Sequence, residues 1–177
     1  MKLINDNLKK AGYFNTALII IAIVLKVMCI GIGATLSKID SVICILALVF
    51  GLLYSLNGYK KDAAKNYKVF MYLFFISNAF ALTAPFAIKV DVLILVSNII
   101  MFVLVFVLTF IKDLGVSKST NLSMLILILT IIKFLYAVAK LGDSLSIYSG
   151  FSSLALSCVL CVFVSAKYAD KESRGAK

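Results

Sequence analysis

Along the chain, apolar stretches of about twenty residues alternate with short polar breaks. Six stretches have this form: 13–36, 41–58, 69–88, 92–111, 121–139 and 145–166. A hydrocarbon core of about 30 Å takes about twenty residues of helix. Backbone polar groups in lipid must be satisfied within the segment, so the stretches predict helices and not open strands. The pattern therefore predicts an all-α integral membrane protein with six transmembrane helices. It forms one membrane domain over residues 1–177, with no linker rich in Pro, Gly or Ser. The first stretch is too long for the core of a cleavable signal, and no small-x-small site follows it, so it reads as a retained helix.

The polar breaks differ in charge. The first ten residues, 58–68, 112–118 and 166–177 together hold 13 Lys/Arg and 5 Asp/Glu. The opposite turns, around Lys38-Ile-Asp40, Lys89-Val-Asp91 and Lys140-Leu-Gly-Asp143, hold 3 Lys and 3 Asp. Basic loops stay on the cytoplasmic side. The expectation is a multi-pass protein of the cell membrane with both termini in the cytoplasm and anionic lipids at its cytoplasmic face.

The breaks also repeat. Asp40, Asp91 and Asp143 are 51 and 52 residues apart, and Lys61-Asp62 and Lys112-Asp113 are 51 apart. The chain reads as three sequential helical hairpins, a pseudo-repeat of about fifty residues. Even loop spacing also follows from membrane thickness alone.

Composition narrows the chemistry. Of the 177 residues 63% are hydrophobic and 15% charged, against about 45–50% and about 25% in soluble domains. The net charge of +10 falls between apolar stretches, so it speaks of topology and lipid headgroups rather than nucleic acid. Histidine is absent, which removes the commonest metal ligand and proton shuttle. There is no phosphate loop, metal cluster or paired acid, and no metal or cofactor is expected.

Two lysines interrupt the apolar runs, Lys26 and Lys133. Each costs about 2.5–3.5 kcal/mol at mid-bilayer on insertion scales. Lys133 lies 7 residues from Lys140, about 10 Å along a helix, which a snorkelling stem nearly covers. Lys26 lies 12 residues from Lys38, about 18 Å, which it does not. Ala22, Lys26, Cys29 and Gly33 form one stripe, and Thr130, Lys133, Ala137 and Lys140 another. Small residues at helical spacing face other helices, so both lysines are expected to point inward. With every acid read as lying in a loop, they lack a carboxylate, which leaves backbone carbonyls, Asn78, Asn98, hydroxyls, an anionic ligand or loss of the proton on burial. The equivalent place in the second hairpin carries Asn78. These residues predict a polar cavity in the outer half of the bundle, lined by Lys26, Asn78 and Lys133, that accepts an anionic solute or lipid headgroup.

Other features carry plainer readings. Ser77-Asn78 and Ser97-Asn98 repeat a dipeptide in neighbouring helices and fit interhelical hydrogen bonds or, on a functional reading, the lining of the cavity. Ser153, Ser157 and Cys161 belong to a small-residue stripe on the sixth helix and predict helix packing. Pro85 predicts a kink near the end of the third helix. Cys29 and Cys44 lie at different depths beside the first turn, which disfavours a disulfide. Cys158-Val-Leu-Cys161 is similar to the cysteine pair of bacterial inner-membrane oxidases that recycle disulfide catalysts and bind quinone. That resemblance implies thiols at the outer surface, whereas this pair lies deep in its span, where cysteine behaves as a small apolar residue. A Ser–Lys pair could serve an intramembrane hydrolase, but no Gly-x-Ser-x-Gly elbow marks one serine.

In size, six-helix layout and cytoplasmic termini the chain resembles the substrate-capturing subunits of energy-coupling-factor vitamin transporters. The resemblance implies a small-solute binding subunit. The chain departs from that pattern in lacking a placeable small-residue coupling motif in its first helix and in its short outer turns. Three functions follow, in order: binding or moving a small anionic solute or lipid; an accessory subunit, or homo-oligomer, packed through the sixth helix; and an intramembrane enzyme, the least favoured.

Overall fold

A computed structural model describes the backbone of residues 2–33, 35–57, 64–87, 92–111, 114–140, 142 and 144–175, and side chains within 10–167 except 11, 34, 58–63, 83–91, 112–113, 141 and 143. The described residues form six helices: α1 Lys2–Ile32, α2 Thr35–Leu56, α3 Ala64–Ala87, α4 Val92–Phe110, α5 Val116–Lys140 and α6 Ser144–Gly175. No strand occurs among them. Pro85 and the turn residues Lys89, Asp91 and Asp143, with Lys61-Asp62 and Lys112-Asp113, lie outside the described side chains.

The helices outrun the apolar stretches. α1 begins at Lys2 instead of residue 13, and α6 continues to Gly175. Hydropathy marks where lipid lies, while backbone hydrogen bonding continues until something breaks it. The α2 start matters most. The polar break at 37–40 was expected to be the turn, yet α2 begins at Thr35. The chain reverses instead at Gly33, whose N–H bonds Cys29 O at 2.8 Å. A Cβ there would stand 2.7 Å from Cys29 O and 2.8 Å from Ser37 Oγ, so only glycine permits this reversal. Asp40 is thereby moved from the loop into the second turn of a helix.

Each helix packs on its neighbours in sequence, and α6 closes the ring against α1. One end carries the α1–α2, α3–α4 and α5–α6 turns; the other carries the termini. We refer to the short-turn end and the terminal end. Toward the terminal end the ring is filled by aromatic side chains. Phe163 of α6 sits 5.1 Å from Tyr54 and 5.0 Å from Phe70, ring centre to ring centre. Gly51 makes room: a Cβ there would meet both phenylalanine rings at 3.2–3.3 Å.

Polarity is inverted relative to a soluble bundle. Ile20, Val24, Ile99, Val103, Ile128 and Ile132 are about half exposed, while Asn15, Lys26, Ser77, Asn98, Ser123 and Ser157 are buried. Such a surface is stable only in an apolar solvent. Lys26, Ser77, Asn98, Ser123 and Ser157 are hydrogen-bonded inside, while the Asn15 amide has no partner among the described residues. Five helices, all but α3, contain described segments long and apolar enough to cross a membrane. The chain fits a multi-pass membrane protein.

Candidate functional site: a polar cavity at the short-turn end

On α1 the buried side chains Asn15, Ile19, Ala22, Lys26 and Cys29 recur at intervals of four and three. They form one inward face, so the helical period places Lys26 in the interior at 2% exposure. Across the Gly33 reversal, Asp40 faces it. Both residues lie seven positions from Gly33, which sets them level in an antiparallel pair. Lys26 Nζ donates to Asp40 Oδ2 at 3.0 Å. The expectation that the lysines lack an acid is corrected here for Lys26. Hydropathy put Asp40 in a turn, and the start of α2 at Thr35 puts it in a helix.

The second carboxylate oxygen is also engaged. Ser77 Oγ of α3 donates to Asp40 Oδ1 at 2.6 Å, and the Cys44 thiol approaches the same oxygen at 3.7 Å. Cys44 Sγ lies 3.0 Å from Ser77 Oγ. One carboxylate thus ties α1, α2 and α3 together. A buried charge pair whose remaining lone pairs are hydrogen-bonded meets the condition under which burial is tolerated.

Lys133 is built differently. It reaches across from α5 and donates to Asn98 Oδ1 of α4. Asn98 is fixed in turn by donating Nδ2 to Ala81 O of α3 at 3.0 Å, which aims its carbonyl oxygen at the ammonium. Among the described residues the only ion pair is Lys26–Asp40. Lys133 therefore has a neutral amide as its hydrogen-bond partner, and no ion pair of Lys133 occurs among the described residues.

Both arrangements open on one cavity of about 350 Å³, within the roughly 300–1,000 Å³ typical of small-molecule sites. Lys26, Asn78 and Lys133 all line it, as do Asp40 and Ser77. The serine stripe of α6 supplies Ser146, Ser149, Ser153 and Ser157 as an opposing hydroxyl wall. Ser37, Ala137 and Ser146 on the lining lie within a turn of their helix ends, so the cavity mouth is at the short-turn end. Phe74, Met101 and Leu156 are apolar members of the lining, and Phe74 stacks on Phe70 of the aromatic fill. The charged side chains of the described lining are Lys26, Asp40 and Lys133. The first two cancel, which leaves one positive charge.

Asn78 donates one of its two Nδ2 hydrogens to Phe74 O of its own helix at 2.8 Å and keeps a second for the cavity. Ser157 pairs with Thr130 of α5 at 2.9 Å, and the Cys161 thiol donates to Ser123 O at 3.3 Å. Ser153 bonds Ser149 O within α6. All four cysteines are free, and the hydrogen bond of Lys133 goes to an amide, not to a serine. No group of three or more metal-ligating side chains occurs among the described residues.

The sequence reading missed Asp40; it gave Ser77 and Asn98 as interhelical bonding partners or cavity lining, and in the structure Ser77 lines the cavity and bonds Asp40, while Asn98 bonds Lys133 and Ala81. The equal spacing of Lys26 and Asp40 about Gly33 was the available signal. Comparison with protein-family models, curated proteins and solved structures finds no match.

Proposed function

We propose that this membrane protein binds a small anionic group, a carboxylate or a phosphate, in the short-turn cavity, with Lys133 as the cationic contact. One observation carries the reading: Lys133 lines an open polar cavity with a neutral amide as partner, while Lys26 is already neutralised by Asp40. An uncompensated ammonium at membrane depth is costly, and an anion in the cavity relieves that cost. Asn78, through its second Nδ2 hydrogen, is a neutral donor for the anion, and the α6 serines make the rest of that wall polar. Lys26 neutralises Asp40, which also lines the cavity, so the pair adds no net negative charge to the wall.

The reading includes the finer topology. α3 packs between α2 and α4 and carries Ser77 into the same polar layer, which supports a sixth span. The excess of basic residues at the terminal end supports cytoplasmic termini in the cell membrane. Lys26, Asn78 and Lys133 each come from the first helix of a successive hairpin and line one cavity, which supports a threefold hairpin repeat.

Native mass spectrometry of the detergent-purified protein tests the site. The parent should carry a small acid or acidic lipid that Lys133→Met lacks. Loss of one charge-assisted hydrogen bond, about 1.5–3 kcal/mol, weakens binding about tenfold to a hundredfold. Equal loading of parent and variant, or a bare parent, removes the support for the reading. An accessory role through α6 is less favoured, because Ser157 and Cys161 are engaged with α5 inside the bundle.

A further inference from the structure

A second polar site lies at the terminal end, away from the cavity described above. Lys68 of α3 and Lys167 of α6 line a cleft of about 230 Å³ between α3, α4, α5 and α6. We infer that this cleft binds the phosphate of an anionic phospholipid.

Three observations converge on that ligand. The first is charge. The described lining holds two lysines and no acid. The Lys167 ammonium stands over the Tyr67 ring, 5.0 Å from its centre, a contact that holds the side chain at the cleft.

The second is the backbone. Ser119, in the first turn of α5, lines the cleft. Its N–H bonds Gly115 O at 3.1 Å, and the N–H groups before it in α5 have no acceptor within the helix. A helix N-terminus adds positive potential where the two ammonium groups already lie.

The third is depth. Lys68 comes one residue before the apolar stretch 69–88, and Lys167 one residue after 145–166. Both therefore sit at the boundary between hydrocarbon and headgroups. The rest of the wall includes Met71 and Leu108, apolar surface suited to the start of an acyl chain. A soluble phosphate compound would use the lysines but gain nothing from that wall. Basic clefts between spans at this level fit acidic headgroups.

The test is native mass spectrometry with added phosphatidylglycerol, phosphatidylcholine or inorganic phosphate. The parent should prefer phosphatidylglycerol. The Lys68→Met, Lys167→Met variant should lose about thirtyfold of that affinity, at about fivefold per lysine near the surface, with phosphatidylcholine binding unchanged. A Lys38→Met, Lys140→Met variant removes the same charge at the other end and should keep the preference. If the two double variants lose phosphatidylglycerol equally, net charge and not the cleft accounts for binding, and the inference falls. If inorganic phosphate displaces the lipid one for one, the cleft is a soluble-anion site and the lipid assignment is overturned. Lys133→Met should leave this binding untouched, so failure here and failure of the short-turn cavity are read separately.

Discussion

Replacing Asp40 by Asn removes the charge that faces Lys26 and little else. The amide keeps an oxygen for Ser77, which donates to Asp40 Oδ1 at 2.6 Å. The Lys26 ammonium, 3% exposed as a side chain, then stands without its carboxylate. Removing one partner of a buried pair costs about 3–5 kcal/mol. The Asp40 side chain is 26% exposed toward the cavity, so water reaches it and the lower end, about 3 kcal/mol, applies. At about 2–4 °C per kcal/mol for a chain of this size, the melting point should fall by about 6–12 °C. The chain has no tryptophan but has four free cysteines, of which Cys29 and Cys44 are buried. Melting in detergent is therefore followed with a fluorogenic maleimide that reports thiol exposure. The Lys26→Met, Asp40→Asn double variant removes both charges and should return to within about 1 kcal/mol of the parent, because a neutral pair of similar volume carries no desolvation penalty. A single variant that melts with the parent, or a double variant that melts as low as the single, would refute the pairing argument.

Two further outcomes follow from the packing and the depth of the cavity. Gly51→Leu drives a side chain into the Phe70 and Phe163 rings, which a Cβ alone would meet at 3.2–3.3 Å; overpacking of about 1–3 kcal/mol should lower the melting point in the same assay, and Gly51→Ala should lower it less. In a cysteine-free background, a membrane-impermeant thiol reagent should label Ser146→Cys, at the cavity mouth, from the side opposite the termini. Ser157→Cys, at a position 1% exposed, should label far more slowly; equal rates would contradict a cavity that narrows inward.

The sequence by itself determined the solvent and the elements. Apolar stretches of membrane length dictate helices, because lipid leaves no other way to satisfy the backbone. The helical period of Ala22, Lys26 and Cys29 was likewise enough to turn Lys26 inward. Helix ends were less legible, since hydropathy reports the lipid boundary and α1, α2 and α6 run past it. Tertiary structure alone decided which polar groups meet. Whether Asp40 belongs to a loop or to a charge pair depends on where the chain reverses, and that rests on contacts at Gly33 that admit no Cβ. Whether Lys133 finds an acid or an amide depends on Asn98 being held by a carbonyl of a third helix. Both are matters of three-dimensional register between helices, which the period of a single helix does not encode. The two inward lysines look alike in sequence, and the fold gives one a carboxylate and the other an open cavity.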